Sequence, residues 1–350
     1  MLVLLNGIPG SGKSTIACAW AARRAHALVI DIDRVRAALP GWRDDPTAAG
    51  LLARAITIAA AREQLHVGGE VIIPQYLGRT EFLDQLDELV RQERSPLVEV
   101  AICDDLASVT RRFGARSTTD PLAAQAAADV AAAGGAQELA QMAQRLAAVL
   151  DARPATRRLT TREGDLAAAT AALELITGPP TGGPAGPRLI VLAGLPGTGK
   201  TTLARGLAAE LEGVMLRVDA IENELARHDH PIESLGYEIC HLLAGVGLAL
   251  GGTVVVDAVN PVPEARHGWR QLAAEHAAAL EVLETELADR VEHRRRVEER
   301  EADLPDQCLP DWADVQRDYV DWDEERDGPR TVINTTDRAV ALQAALTKIN

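Results

Sequence analysis

At 350 residues the chain is long enough for two domains of ordinary size. Hydrophobic residues at 47% beside 25% charged residues exclude a disordered chain, and aromatics at 3% leave the cores to Ala, Val, Leu and Ile. The formal net charge of -15 argues against a large nonspecific nucleic-acid surface, which needs clustered Lys and Arg, and leaves room for a local basic groove.

Cys18, Cys103, Cys240 and Cys308 stand far apart with no C-x-x-C pair, so neither a disulfide framework nor a zinc site is expected. No apolar run reaches membrane-spanning length, and no basic stretch precedes an apolar one at the start. A cytoplasmic protein with no membrane partner is expected; the sequence leaves its oligomeric state open.

The first predicted strand, Leu2 to Asn6, runs into Gly7-Ile8-Pro9-Gly10-Ser11-Gly12-Lys13-Ser14, and a helix follows. This is G-x-x-x-x-G-K-[ST]. Its glycines let the backbone wrap phosphate oxygens, while the amides and the helix N-terminus supply partial positive charge. Lys13 reaches the β- and γ-phosphates in such a loop, and Ser14 ligates Mg²⁺. Gly10, Ser11, Gly12, Lys13, Ser14 and Thr15 are the candidate nucleotide contacts, with MgATP the expected cofactor.

A second strand, "ALVIDID", ends in Asp31 and Asp33. Ligands of open α/β sheets bind at such strand ends. Asp33 is the candidate base for an attacking hydroxyl and Asp31 its rival; the alternative is that such an acid caps the next helix. Arg36, one helical turn beyond Asp33, suits an acceptor phosphate. The third strand, "GGEVIIPQ", ends at Gln75, with Arg79 beyond it. After a fourth strand, "LVEVAICDD", the helix with "RRFGAR" offers Arg112 and Arg116 as lid arginines for the transferring phosphate. The alanine-rich Leu122 to Leu150 is expected to be helical, as a lid or an insertion. A short strand, "TRRLTT", and another alanine-rich helix close the half.

"TGPPTGGPAGPR", Thr177 to Arg188, is rich in Pro and Gly and reads as a linker. The expected division is a domain over 1–177, a linker over 178–188 and a domain over 189–350. Beyond it the order repeats. The strand Leu189 to Ala193 leads into Gly194-Leu195-Pro196-Gly197-Thr198-Gly199-Lys200-Thr201, with Gly197, Thr198, Gly199, Lys200, Thr201 and Thr202 the matching contacts and Thr201 the Mg²⁺ ligand. "VMLRVDA" brings Asp219 as base, and Glu222 stands where Arg36 does, which suggests an acceptor without a phosphate. "VVVDAVNP" puts Asp257 at the third strand's end, to hold Mg²⁺ through water or bind the acceptor hydroxyl, with Asn260 close behind. The first half has Gln75 at that place, and an amide cannot act as a base. Arg266 is a candidate acceptor contact.

"EHRRRVEER" supplies Arg296 and Arg300 with the spacing of Arg112 and Arg116. Its i,i+4 Glu–Arg pairs also suit a solvated helix face. His228 and His230 lack further metal ligands nearby. Trp312, Tyr319 and Trp322 suit packing better than base stacking, and "NTTD" (Asn334 to Asp337) lies where an adenine ring could rest. Strands alternating with helices imply parallel βαβ units. The expected fold is α/β: two tandem P-loop domains, each a three-layer sandwich on a mostly parallel sheet.

At these residues the chain resembles the small P-loop kinases, a group that includes chloramphenicol phosphotransferase, adenylylsulfate kinase, zeta toxins and the kinase domain of polynucleotide kinase. "VDAIENEL" is similar to the chloramphenicol phosphotransferase acid, which implies a base role for Asp219. "DIDRVR" looks like the DxxR of polynucleotide kinases and zeta toxins, which implies base and helper roles for Asp33 and Arg36. The second half is also similar to AAA-type predicted kinases. The resemblance implies phosphoryl transfer from ATP, with a small-molecule hydroxyl as the expected acceptor. Polynucleotide 5'-hydroxyl or nucleotide-sugar phosphorylation is the alternative, opposed by the acidic charge. An ATPase switch with one regulatory half is another.

Overall fold

The computed structural model describes residues 1–114, 121–161, 165–183, 185–315 and 319–349. They form two compact units, Met1–Leu65 with Glu70–Gly183, and His66–Gly69 with Pro184–Asn350.

The first unit holds β1 (Leu2–Asn6), β2 (Ala27–Val29), β3 (Glu70–Gln75), β4 (Leu97–Ile102) and β5 (Arg157–Leu159). They make one parallel sheet in the order β2-β3-β1-β4-β5. The second unit holds β6 (Arg188–Ala193), β7 (Val214–Arg217), β8 (Thr253–Asp257), β9 (Ala279–Glu286) and β10 (Thr331–Asn334). Its parallel sheet runs β7-β8-β6-β9-β10, the same order when each unit's strands are counted from its own first. Both units are α/β P-loop domains, as the alternation of elements predicts.

Side chains on a strand alternate between faces, so a strand buried at every residue must be covered on both. All five residues of β1 are buried, as are all of β6 beyond Arg188. In the second unit one cover is set by Ile190, Leu192, Met215 and Val255, which pack against Leu203 and Leu207 of the helix Lys200–Glu210 and Ala341 and Ala345 of the helix Arg338–Ile349. Alanine on these helices lets them lie close to the sheet, which suits a chain poor in aromatics.

The alanine-rich Leu122 to Leu150 forms two helices, Pro121–Ala132 and Ala136–Ala152. Leu146 and Leu150 of the second pack on Ile8 of the glycine loop and on Val109. This stretch therefore packs against the first glycine loop. The front of the predicted linker is also tied down. Arg24, 2% exposed and stacked on Trp20, donates to the carbonyls of Gly178 at 2.5 Å and Pro179 at 3.1 Å, and Gly182 bridges to Arg24. Among the described residues no helix is long and apolar enough to cross a membrane.

Leu207 is fully buried and Leu175 is 90% exposed. Leu207→Ala should lower stability by about 2–5 kcal/mol in urea titration, while Leu175→Ala should stay within about 0.5 kcal/mol.

Candidate functional site

Each glycine loop joins the first strand of its sheet to a helix, Lys13–Ala21 or Lys200–Glu210. The residues capping those helices, Gly12 and Gly199, both lie at φ 89°, a left-handed conformation that glycine adopts without strain. Lys13 Nζ donates to the Ile8 carbonyl at 3.2 Å, and Lys200 Nζ to that of Leu195 at 2.9 Å. Both ammonium groups thus sit over their own loops. Burial lowers the Lys200 pKa, Asp257 and Asp219 oppose that shift, and Arg300 and Arg217 add to it.

Gly10 and Gly197 serve a different purpose. A Cβ on Gly10 would lie 2.9 Å from the Val109 carbonyl, and one on Gly197 would lie 2.6 Å from Val297 Cγ2. The arginine-bearing helices, Leu106–Gly114 and Arg290–Glu298, therefore rest on the glycine loops. The Thr198 hydroxyl bonds the Leu195 carbonyl at 2.7 Å and Thr285 Oγ1 at 2.6 Å, so it braces the loop and leaves phosphate contact to the backbone. Ser11 Oγ is buried without a hydrogen-bond partner among the described residues.

Strand register corrects one expectation. Leu5 and Leu192 each stand two residues before the first glycine of their loops; Leu5 is opposite Pro74 and Leu192 opposite Asp257. Pro74, not Gln75, therefore holds the place of Asp257. The same count brings Asp31 level with Pro74 and Arg217 level with Asp257. An acid and its neighbour have changed places. In the second unit Thr201 Oγ1 donates to Asp257 Oδ2 at 2.6 Å. In the first, Ser14 Oγ donates to Asp31 Oδ2 at 3.1 Å.

The capping role given as the alternative for these acids falls to Asp31. Asp31 Oδ1 accepts from Asp33 N and caps the helix Ile32–Ala38, whereas Asp33 lies in its first turn, 57% exposed and 3.2 Å from Arg36. Asp219 likewise lies in the first turn of the helix Val218–Arg227, after an N-cap Arg217 whose side chain makes no capping bond. Burial raises the Asp31 carboxyl, Asp33 adds to the shift, and Ser14 opposes it.

Arg217 is a functional residue that the sequence did not reveal. It is 2% exposed and donates two hydrogen bonds to Asp303, at 2.7 and 3.0 Å. Its guanidinium lies 3.6 Å from Asp257 and 3.8 Å from Asp219. Burial and then Asp219 push the Asp257 carboxyl up; Arg217, Lys200 and the Thr201 hydroxyl pull it back. The one available signal was an arginine ending the otherwise apolar run "VMLR".

These groups border a cleft of about 1060 Å³, lined by Lys200, Thr201, Asp219, Glu222, Arg296 and Arg300 among others. The two arginines point different ways. Arg296 donates to the carbonyls of Thr335 at 3.2 Å and Thr336 at 3.3 Å, beside "NTTD". Arg300 lies 3.8 Å from Asp303 and acts on Lys200. Arg112, the counterpart of Arg296, pairs with Asp104, which also accepts from the Thr161 amide. Arg116 lies outside the described residues.

Arg266 does not reach the cleft. It is 3% exposed, bonds Asp327 at 2.6 Å and the Asn260 carbonyl at 3.0 Å, and stacks on Trp322 and Tyr319. Asn260 is structural too: its amide bonds the Leu192 carbonyl and the Trp269 indole. Trp312 packs edge-on against His293. Among the described residues no group of three His, Cys, Asp or Glu is placed to hold a metal ion by itself. The loop amides, the buried Ser11 hydroxyl and the two hydroxyl–carboxylate pairs suit Mg²⁺ held with nucleotide phosphates.

The family described as the AAA domain matches residues 2–159 and again 189–317. No curated protein sequence matches the chain. Among solved structures, Chaetomium thermophilum Kti12 in complex with ADP-AlF3 is 20% identical, covering 46% of this chain and 96% of its own, with a TM-score of 0.39. The Mycobacterium tuberculosis APS kinase in complex with AMPPNP and APS is 18% identical, covering 47% and 97%, with a TM-score of 0.34. A Sinorhizobium meliloti gluconokinase is 17% identical, covering 47% and 95%, with a TM-score of 0.34.

Removing Arg217 leaves Asp257 buried without its guanidinium, so Arg217→Met should destabilise by about 3–5 kcal/mol in urea titration. Glu222 gives a pH signature. Burial, then the Asp219 charge, raises its carboxyl from 4.5 to about 7. The folded state then keeps a proton that the unfolded chain releases, so this group's stabilising contribution is full below pH 4.5 and is lost as pH rises to about 7. The melting temperature of Glu222→Gln relative to wild type should climb across that window and level off above it. A difference independent of pH would contradict the assignment.

Proposed function

We propose, for a chain that belongs twice over to the AAA domain family, that each half moves the γ-phosphoryl group of MgATP to a hydroxyl of a small molecule. The observation that carries this reading is Asp219. Its carboxylate, 31% exposed, lines the same cleft as Lys200 and Thr201, in the first turn of the helix after the second strand, as Asp33 is in the first half.

The geometry supports a division of labour. The loop amides with Lys13 or Lys200 hold the phosphates. Ser14 with Asp31, and Thr201 with Asp257, would hold Mg²⁺, which when bound would supply charge neutralisation to the phosphates. Asp219 and Asp33 accept the proton of the attacking hydroxyl. Arg300 adds positive charge near Lys200, and Arg296 holds the "NTTD" loop on the adenine side. Phosphoryl transfer needs mainly positioning and charge neutralisation, and these residues supply both.

At the first site Arg36 beside Asp33 favours an acceptor carrying an anionic group, such as a nucleotide or the 5' end of a nucleic acid. An ATPase switch would release phosphate with no labelled product.

With γ-labelled ATP, Mg²⁺ and a cell extract split into metabolite and nucleic-acid fractions, label should enter a small compound. Lys200→Ala and Lys13→Ala should each remove the label placed by their own half. Asp219→Asn should lower kcat at the second site by about 10²–10⁴-fold with ADP affinity within threefold. Label in nucleic acid would favour the polynucleotide reading, and free phosphate alone the switch.

A further inference from the structure

The two units share the donor end of the site and differ at the acceptor end. Asp33 and Asp219 each lie in the first turn of the helix that follows the second strand. Three residues later, on the same helix face, stand Arg36 and Glu222. In the first unit the pair is complementary, with Arg36 3.2 Å from Asp33. In the second it is two carboxylates.

Among the described residues nothing answers the second of these acids. Glu222 lines the cleft with Asp219, Asn223, Ile232 and Val259. Among the described residues it accepts no hydrogen bond and pairs with no cation, and the charge that acts on it is the like-signed Asp219. The cations nearby have acids of their own: Arg217 is forked onto Asp303 and flanks Asp257, and Arg300 lies against Asp303. The fold nevertheless makes room for the Glu222 side chain. Gly236 lies in the first turn of the helix Leu235–Ala249, and a Cβ there would fall 2.4 Å from Glu222 Cγ. A part-buried carboxylate beside a second one, housed by a glycine and turned to an open cleft, is an unfavourable arrangement until a ligand brings positive charge.

We propose that the second site takes a hydroxyl compound bearing an ammonium group, an amino alcohol or amino sugar, with Glu222 holding the ammonium and Asp219 facing the hydroxyl. This rests on the phosphotransferase reading above. The hydroxyl oxygen bonds to the γ-phosphorus, the bond from that phosphorus to the bridging β–γ oxygen breaks, ADP leaves, and the hydroxyl proton passes to Asp219. The ammonium keeps its protons and fixes which hydroxyl meets the phosphate. Ile232, Val259 and Ala226 offer apolar contact for the carbon frame between the two groups.

The test is a panel of amino alcohols and amino sugars, each matched with its N-acetyl and its O-phosphorylated counterpart. Binding to the protein in MgADP is read by thermal shift and then calorimetry, in wild type, Glu222→Gln and Glu222→Arg. MgADP affinity reports that each variant is folded. Amines should bind at least tenfold more tightly than their N-acetyl partners. Glu222→Gln should abolish that preference, and Glu222→Arg should reverse it toward the phosphorylated compounds. Equal binding of amine and N-acetyl forms, an unchanged preference in Glu222→Gln, or a panel without an amine that binds would overturn the proposal. γ-Labelled ATP separates the two readings. Amine binding without label transfer leaves the ammonium site standing and removes the phosphotransferase. Label on a neutral or anionic acceptor, placed by the second site and lost in Lys200→Ala, does the reverse.

Discussion

The hydroxyl–carboxylate bond at the foot of each glycine loop is the constraint from which the rest of the site follows. Thr201 needs Asp257, and Asp257 is buried at the end of a central strand, where a carboxylate is disfavoured unless positive charge is close. Arg217 supplies it from the next strand, level in register. In the first unit the acid is Asp31, two residues beyond the end of β2, and Pro74 occupies the place that Asp257 would fill. The first unit also manages without a buried arginine there, since Asp31 is only part-buried and has the Ser14 hydroxyl and the Asp33 amide as donors.

Arg217 extends this constraint to the lid side. Its fork onto Asp303 fastens the segment after the helix Arg290–Glu298 to the end of β7. That helix is already pressed onto Gly197, where a methyl group would collide with Val297. The loop, the helix that rests on it and the strand end that bears the acids are therefore fixed to one another by one close backbone approach and one buried ion pair. Displacing Asp303 would disturb Asp257 through Arg217 with no direct contact between the two acids.

What the sequence made legible was local. The two glycine loops are contiguous strings whose function depends on backbone conformation and on Lys and Ser/Thr at fixed offsets, so they read directly. The alternation of strands and helices carried the parallel sheets. Register was out of reach: "VIIPQ" and "VVVDA" align by eye in more than one way, and only the pairing of Leu5 with Pro74 and Leu192 with Asp257 sets Gln75 outside the position that matters. Arg266 was misplaced for a related reason. An arginine at a helix start reads as solvent-facing, but Asp327, sixty-one residues away, and the faces of Tyr319 and Trp322 draw it inward. Asp303 belongs to the same class, a partner that only the folded chain brings to Arg217.

The duplication can then be understood by separating the donor end from the acceptor end. At the donor end the two units differ in where the acid stands, yet they arrive at the same pairing of hydroxyl, carboxylate and lysine. At the acceptor end the first acid is again the same, Asp33 or Asp219, and one helical turn later the charge is opposite, Arg36 or Glu222. This change in where the acid stands, which keeps the hydroxyl–carboxylate pair, followed within a few residues by a change of sign, is what the proposal of two sites with acceptors of different charge rests on.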